Sequence, residues 1–67
     1  MDAIAIAHNG RYTKNGQYVY DLTVQVKHNG RILWEKKRVP KDDIFDVRNA
    51  IIAESPYKDA NPYTLYL

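Results

Sequence analysis

Residues 18 to 27 alternate between the two faces of a strand. Even positions from Tyr18 to Val26 are apolar or aromatic, and most odd positions are polar, which is the pattern of a strand with one buried face. Asn29-Gly30 follows, a pair that tolerates the positive φ angles of a tight turn, and strand-forming residues resume at Ile32. The pattern predicts a β-hairpin that turns at residues 29 and 30.

The segment before this hairpin predicts a third strand. Residues 3–7 alternate, with Ile4 and Ile6 on one face, and the Asn-Gly pair at 15–16 suits a turn into the next strand. The Asn-Gly pair at 9–10 lies too close to that turn for a separate hairpin, so we expect a bulge or bend there. The three strands form an antiparallel meander.

After the third strand the apolar positions change to helical spacing. The stripe consists of Ile44, Val47 and Ile51, widened by Phe45 and Ile52. This spacing predicts an amphipathic helix over about 42–54 that packs on the sheet.

Polar residues mark both ends of the predicted helix. Asp42 and Asp43 are expected to cap its first amides and to favour its positive dipole end. Ser55-Pro56 is expected to end it, because the residue before proline avoids helical geometry. The tail, residues 56–67, leaves two readings open: its alternating last five residues form a short further strand, or they stay loose until they meet a partner.

These elements define an α+β fold of the order β-β-β-α: a three-stranded antiparallel meander packed on one C-terminal helix. We expect a single domain over 1–67, with the sheet at about 3–39, because 67 residues leave room for one small core. Without cysteine there is no disulfide and no cysteine-based zinc site. No targeting segment or long apolar run is apparent, so we expect a cytoplasmic protein with no membrane partner.

A two-residue turn at 29–30 also predicts the strand register. Facing pairs would be Val26 with Leu33, Gln25 with Trp34, Thr23 with Lys36, and Asp21 with Arg38. The predicted core face then carries Tyr18, Tyr20, Leu22, Val24, Val26, Leu33 and Val39. Trp34 would lie on the opposite, solvent-exposed face, among polar and basic side chains.

Charge is unevenly distributed along the chain. The segment 8–41 has eight basic and two acidic residues, a net charge of +6, whereas 42–67 has two basic and five acidic residues, a net charge of −3. A basic sheet suits phosphate contacts, and an acidic helix behind it would keep the rest of the surface away from nucleic acid.

The residues offer little catalytic chemistry. His8 and His28 each precede an Asn-Gly pair and are expected to be turn residues, Ser55 is the only serine, and the early helix acids are typical dipole complements. No metal-ligand cluster or glycine-rich phosphate loop is present in the pattern. We therefore expect no enzyme, no cofactor and no metal.

One constellation suits nucleic acid. Its candidate binding residues are Thr23, Gln25, Lys27, Arg31, Trp34, Lys36 and Arg38. Lysine and arginine would contact phosphates or guanine, Gln25 and Thr23 would read base edges, and Trp34 would make an apolar or stacking contact. The same residues also fit an ordinary solvated sheet face, with Trp34 stabilising a cross-strand pair.

The segment 11–54 resembles the N-terminal arm-type DNA-binding domain of tyrosine integrases, in which a three-stranded sheet enters the major groove. The matching stretches are KNGQYVYDL (14–22), RILWEKKRVP (31–40) and DVRNAIIAE (46–54). Double-stranded-RNA-binding domains share the strand and helix order, but Asp42 and Asp43 stand where their helix start is basic. The resemblance implies a small DNA-binding module of a phage or mobile element.

The leading expectation is therefore duplex DNA as partner, bound by the basic sheet face. The alternative is a small phage-type inhibitor or adaptor that binds a host protein through its sheet edge, its Trp34 face or its tyrosine-rich tail. A homodimer through the sheet edge is compatible with either function.

Overall fold

A computed structural model describes residues 1–27 and 29–67. Its elements are β1 (Asp2–Tyr12), β2 (Tyr18–Val26), β3 (Arg31–Pro40), a 3₁₀ turn (Lys41–Asp43), α1 (Ile44–Glu54) and β4 (Asn61–Tyr66). The four strands form one mixed sheet in the order β3-β2-β1-β4. The α+β class is confirmed, and the antiparallel meander β1-β2-β3 is three-quarters of the sheet.

The tail forms the fourth strand. β4 runs parallel to β1, with Ile4 opposite Tyr63 and Ile6 opposite Leu65. Backbone hydrogen bonds join both ends of the tail strand to the first strand, from the Asn61 N–H to the Met1 carbonyl and from the Leu67 N–H to the Ala7 carbonyl, each 2.9 Å. The return along α1 makes the parallel arrangement accessible, because a parallel pair needs such a crossover.

The helix begins and ends close to the predicted positions. Asp43 stands at its N-cap but makes no side-chain capping hydrogen bond, so the capping prediction is wrong for this residue. At the other end the Ser55 hydroxyl donates to the Ile52 carbonyl at 2.8 Å and accepts from the Tyr57 N–H at 3.0 Å. These bonds replace the helical ones that Pro56 interrupts.

The core lies between α1 and one face of the sheet, called the helix face. Its buried residues are Ala3, Ala5, Ala7, Leu22, Val24, Val39, Ile44, Ile52 and Ala60. Val47 and Ile51 pack against this cluster, as the helical stripe predicts. Phe45 does not join this cluster. It is 54% exposed, and the guanidinium carbon of Arg48 lies 4.7 Å from its ring centroid.

The other face of the sheet, called the open face, has no helix on it. Ile4 and Ile6 share this face, while the small alanines between them point to the helix. Alanine at these positions lets α1 approach the centre of the sheet closely. The apolar alternation of β1 is thus real, but its larger side chains lie away from the core.

The first two Asn-Gly pairs, at 9–10 and 15–16, behave as expected. β1 contains a bulge between His8 and Arg11, with Asn9 at φ 56°. Gly16 has φ 81° in the turn that joins β1 to β2, a conformation that suits glycine. Both features confirm the predicted bulge and the predicted first hairpin.

The second hairpin forms with a different register. Val26 pairs with Arg31 and Val24 with Trp34, so the two-residue turn is wrong even though Gly30 has the positive φ of a turn residue, 66°. The expected turn position of His28 lies outside the described residues. Two irregularities in the β2–β3 ladder, near Leu33 and before Val39, shift the facing pairs.

Candidate nucleic-acid interface

The shifted register moves the predicted aromatic contact to the helix face. Trp34 faces Val24 and packs, half-buried, against the core cluster. Lys36 faces Leu22 on the same side, with its Nζ 5.9 Å from the Trp34 ring centroid. Because a slip of one residue turns a side chain to the other face, the expected placement of Trp34 and Lys36 on the solvent face opposite α1 is wrong.

Three predicted contact residues stay on the open face. Thr23 is buried there, with its Oγ1 3.3 Å from the Nε2 of His8. Gln25 is half-buried opposite Ile4, and Lys27 is exposed beside the start of β1. Buried Thr23 is poorly placed to read a base edge, so of these three residues only Gln25 and Lys27 offer polar contacts.

The remaining cations gather at the outer strand. β3 has a neighbour on one side only, and the residues along it and directly after it form what is called here the basic edge: Arg31, Lys36, Lys37, Arg38 and Lys41. All five are exposed, and Glu35 is the only acidic residue of β3. The one ion pair among the described residues, Arg11 with Asp21, involves none of them.

Asp21, in the central strand β2, holds the bulges on both of its neighbours. Its Oδ2 accepts from the Asn9 side-chain amide at 3.0 Å, in the β1 bulge. Its Oδ1 accepts from the Arg38 backbone N–H at 3.3 Å and lies 3.0 Å from the Arg11 guanidinium. One carboxylate therefore satisfies groups from both neighbouring strands, β1 and β3.

These contacts set the charge state of Asp21. The hydrogen bond from Asn9 lowers the pKa of Asp21 below its ordinary value of 3.8, and Arg11 and the Arg38 N–H lower it further, while desolvation opposes them. Each favourable contact stabilises the ionised form. The predicted facing pair of Asp21 with Arg38 is wrong, because the β2–β3 ladder is irregular at Asp21. Only the backbone N–H of Arg38 contacts the carboxylate, and the guanidinium partner is Arg11.

Arg38 has φ 63°, a left-handed conformation that costs an L-residue energy. The extra residue of the β3 irregularity lies opposite Asp21, between the Tyr20–Val39 and Leu22–Lys36 pairs. Bulges of this kind turn side chains away from the regular alternation. Two adjacent cations, Lys37 and Arg38, are thereby presented at the basic edge.

A ladder of tyrosines on the helix face was not anticipated. Neighbouring rings meet edge to face: Tyr12 with Tyr18, Tyr18 with Tyr20, and Tyr20 with Tyr66, at centroid distances of 4.8, 5.2 and 5.3 Å. Gly10 lies beneath it, where an added Cβ would come within 3 Å of Tyr18 and Tyr20. The alternation of Tyr18 and Tyr20 in β2 is visible in the sequence. Tyr12 and Tyr66 join the ladder only because of the β1–β2 register and the pairing of β4 with β1.

A cleft of about 390 Å³ lies between the β1–β2 turn and the 3₁₀ turn. It is lined by Gly16, Gln17, Tyr18, Pro40, Lys41, Asp42 and Asp43. Across residues 1–27 and 29–67 there is no group of three or more potential metal ligands. The same residues include no helix long and apolar enough to cross a membrane.

Comparisons of the chain with protein-family models, curated proteins and solved structures gave no match. The resemblance to integrase arm-type domains stays an expectation from the sequence, and the candidate interface stands on its own geometry.

Proposed function

We propose that the protein is a small nucleic-acid-binding module that contacts duplex DNA through the basic edge. The proposal rests chiefly on one observation: five exposed cations lie along and directly after the outer strand β3, and none has an ion-pair partner among the described residues. Phosphate neutralisation by such side chains supplies most of the affinity of non-specific binding.

The backbone of β3 supports the same proposal. The outer strand of a sheet leaves N–H groups unpaired, and backbone N–H groups are common phosphate donors. The major groove of B-DNA, about 12 Å wide, admits a two-stranded ribbon such as β2–β3. Arg38 would contribute to this contact because its bulge displaces it from the regular strand pattern.

Compared with the sequence prediction, this interface lies at an edge rather than across a face. Lys36, Arg31 and Arg38 keep a role as phosphate contacts, and Lys27 lies beyond the end of β2 as a further cation. Trp34 and Thr23 lose their predicted roles as direct contacts, because one packs on the core and the other is buried.

The test is fluorescence anisotropy of labelled mixed-sequence duplex DNA at about 50 and about 200 mM salt. The variant Lys36→Gln/Lys37→Gln removes two edge cations, and Lys14→Gln/Lys58→Gln removes two exposed cations located elsewhere, with the same change in net charge. The slope of log K against log salt is negative, and we expect the edge variant to make it shallower by about 2. The control should change the slope little.

Equal weakening by both variants would indicate attraction to net charge alone, and no binding at either salt would reject the proposal. Duplex RNA as a competitor shows which nucleic acid is preferred. Circular dichroism of each variant verifies that the fold is retained.

A second candidate function is that of a protein-binding inhibitor or adaptor. It is favoured by the tail, which joins the sheet as β4 and leaves Tyr63 and Leu65 about half exposed on the open face. Aromatic side chains are enriched at protein interfaces, and an apolar contact depends weakly on salt. Salt-insensitive binding to a purified partner, abolished by Tyr63→Ser, would favour this function over DNA binding.

A further inference from the structure

An apolar stripe runs along the open face over β1 and β4. Ile4 lies beside Tyr63, and Ile6 lies beside Leu65. Tyr63 and Leu65 are 52% and 49% exposed, and a shallow cleft of about 350 Å³ lies between them, Ile4 and Lys27. Ile32, also half exposed, extends the apolar surface across Gln25 to β3.

The distribution of side-chain size in β1 singles out this face. An antiparallel sheet with one solvated face normally places polar residues outward and large apolar ones inward. Here Ala5 faces the helix, and Ile4 and Ile6 face outward. A contiguous outward-facing apolar stripe is characteristic of a surface that associates.

Charge separates the surfaces at which two copies of the chain could meet. The open face carries charges of both signs at its margin, Asp2 and Glu35 against Lys27. Pairing two β3 edges would instead bring Lys36, Lys37 and Arg38 of both copies together, which like-charge repulsion opposes. The β4 edge includes Pro62, which cannot donate to a ladder.

We propose that the open face is a dimerisation surface whose occupant is a second copy of this chain, packed sheet against sheet about a two-fold axis. Such an interface is isologous, which means that the same surface of each protomer forms it. The stripe of one protomer, Ile4, Ile6, Tyr63 and Leu65, therefore packs against the same stripe of its partner. The surrounding polar residues, among them Gln25 and Lys27, form the rim. This pairing is through the face and not through the edge that the sequence suggested.

The size of the face sets the strength of the dimer. Four strands about 4.8 Å apart, over about 20 Å of length, give a footprint of about 400 Å² per copy. Two copies therefore bury on the order of 800 Å², less than the roughly 1,200–2,000 Å² of stable specific interfaces. An interface of this size belongs to the weak, transient class, so the dimer forms reversibly and its population depends on concentration.

Sedimentation equilibrium of the full chain between about 10 and 500 µM tests the proposal. Leu65→Glu places a charge in the stripe, and Phe45→Glu places the same charge on α1, at a residue of similar exposure (54% against 49%) on the opposite side of the sheet. We expect concentration-dependent dimerisation of the wild type and of Phe45→Glu, with at least a tenfold weakening in Leu65→Glu.

A wild type that is monomeric up to 500 µM would overturn the proposal. So would a dimer that Leu65→Glu leaves intact while its circular dichroism stays native. Should Leu65→Glu fail to fold, Tyr63→Ser removes apolar area from the same stripe without adding charge and gives the same readout. None of these outcomes depends on whether the basic edge binds DNA.

Discussion

Arg38 holds a left-handed backbone conformation, φ 63°, while its N–H donates to the carboxylate of Asp21 on the neighbouring strand at 3.3 Å. Asn9 mirrors this relationship from the other side, with φ 56° and its side-chain amide 3.0 Å from the same carboxylate. Two strained positions that are not glycine therefore depend on one acidic side chain. Strain of this kind persists where the surroundings compensate it.

Replacing Arg38 separates strain from binding. Arg38→Gly relieves a left-handed conformation that costs about 1–2 kcal/mol, against an added backbone entropy cost of about 0.5–1 kcal/mol. We expect thermal denaturation to show unchanged stability or a gain of up to about 1.5 kcal/mol, together with weaker DNA binding. Arg38→Ala is the control, because it loses the same cation and keeps the strain. A large loss of stability in Arg38→Gly would show that the arginine side chain itself supports the fold.

Asp21 gives the protein a defined acid sensitivity. Its pKa is lower in the folded chain than the ordinary 3.8, chiefly because of Asn9, so the unfolded chain binds the proton more readily. The stabilisation is present in full above the ordinary pKa and is lost as pH falls below 3.8 through the lowered folded value. We expect chemical denaturation of the wild type to show this loss.

Asp21→Asn is the matched variant for that experiment. It is less stable at neutral pH, because the ion pair with Arg11 and the charge-assisted hydrogen bonds are lost. It also loses less stability in acid than the wild type does. Parallel pH profiles of the two proteins would contradict this role of Asp21.

Trp34 is now expected to support the core. Trp34→Ala removes a half-buried ring from the cluster around Val24, and we expect a loss of about 1–3 kcal/mol, below the 3–5 kcal/mol of fully buried aromatic residues. Ile32→Ala, at an exposed position of the same strand, should change stability by about 0.5 kcal/mol or less. Urea denaturation of both variants measures the difference. Equal, small losses of stability in the two variants would contradict the packing of Trp34 against the core.

Gly10 is required by the tyrosine ladder for its size. A Cβ at this position would lie 2.5 Å from the Tyr18 hydroxyl and 2.8 Å from a ring carbon of Tyr20. Gly10→Ala is therefore expected to cost about 1–3 kcal/mol through overpacking. Adding Tyr18→Phe removes the closest atom and should restore part of the loss in a double-mutant cycle. Strict additivity of the two changes would mean that the Tyr18 hydroxyl is not the obstacle.

Much of the secondary structure could be predicted from local pattern. The alternation in β2, the bulge at Asn9-Gly10, the helical stripe from Ile44 and the stop at Ser55-Pro56 depend on neighbours a few residues apart. The burial of Leu22, Val24 and Val39 followed from the same alternation. The sequence also shows which lysines and arginines lie in the third strand, but not that this strand is the outer edge of the sheet.

Register and tail were decided by contacts between distant segments. The carboxylate of Asp21 bonds to Asn9, 12 residues before it, and to the backbone of Arg38, 17 residues after it. No local rule announces that β3 carries an irregularity opposite Asp21, and a single extra residue is enough to move Trp34 to the other face.

The amino-acid sequence by itself determined which segments are strands and helix, because periodicity and turn chemistry act over a few residues. Only the tertiary structure decided which face each side chain of β3 occupies, where the outward isoleucines of β1 lie, and that the tail pairs with β1. These outcomes depend on the best simultaneous packing of the whole sheet against α1. The basic edge and the open face are products of that packing.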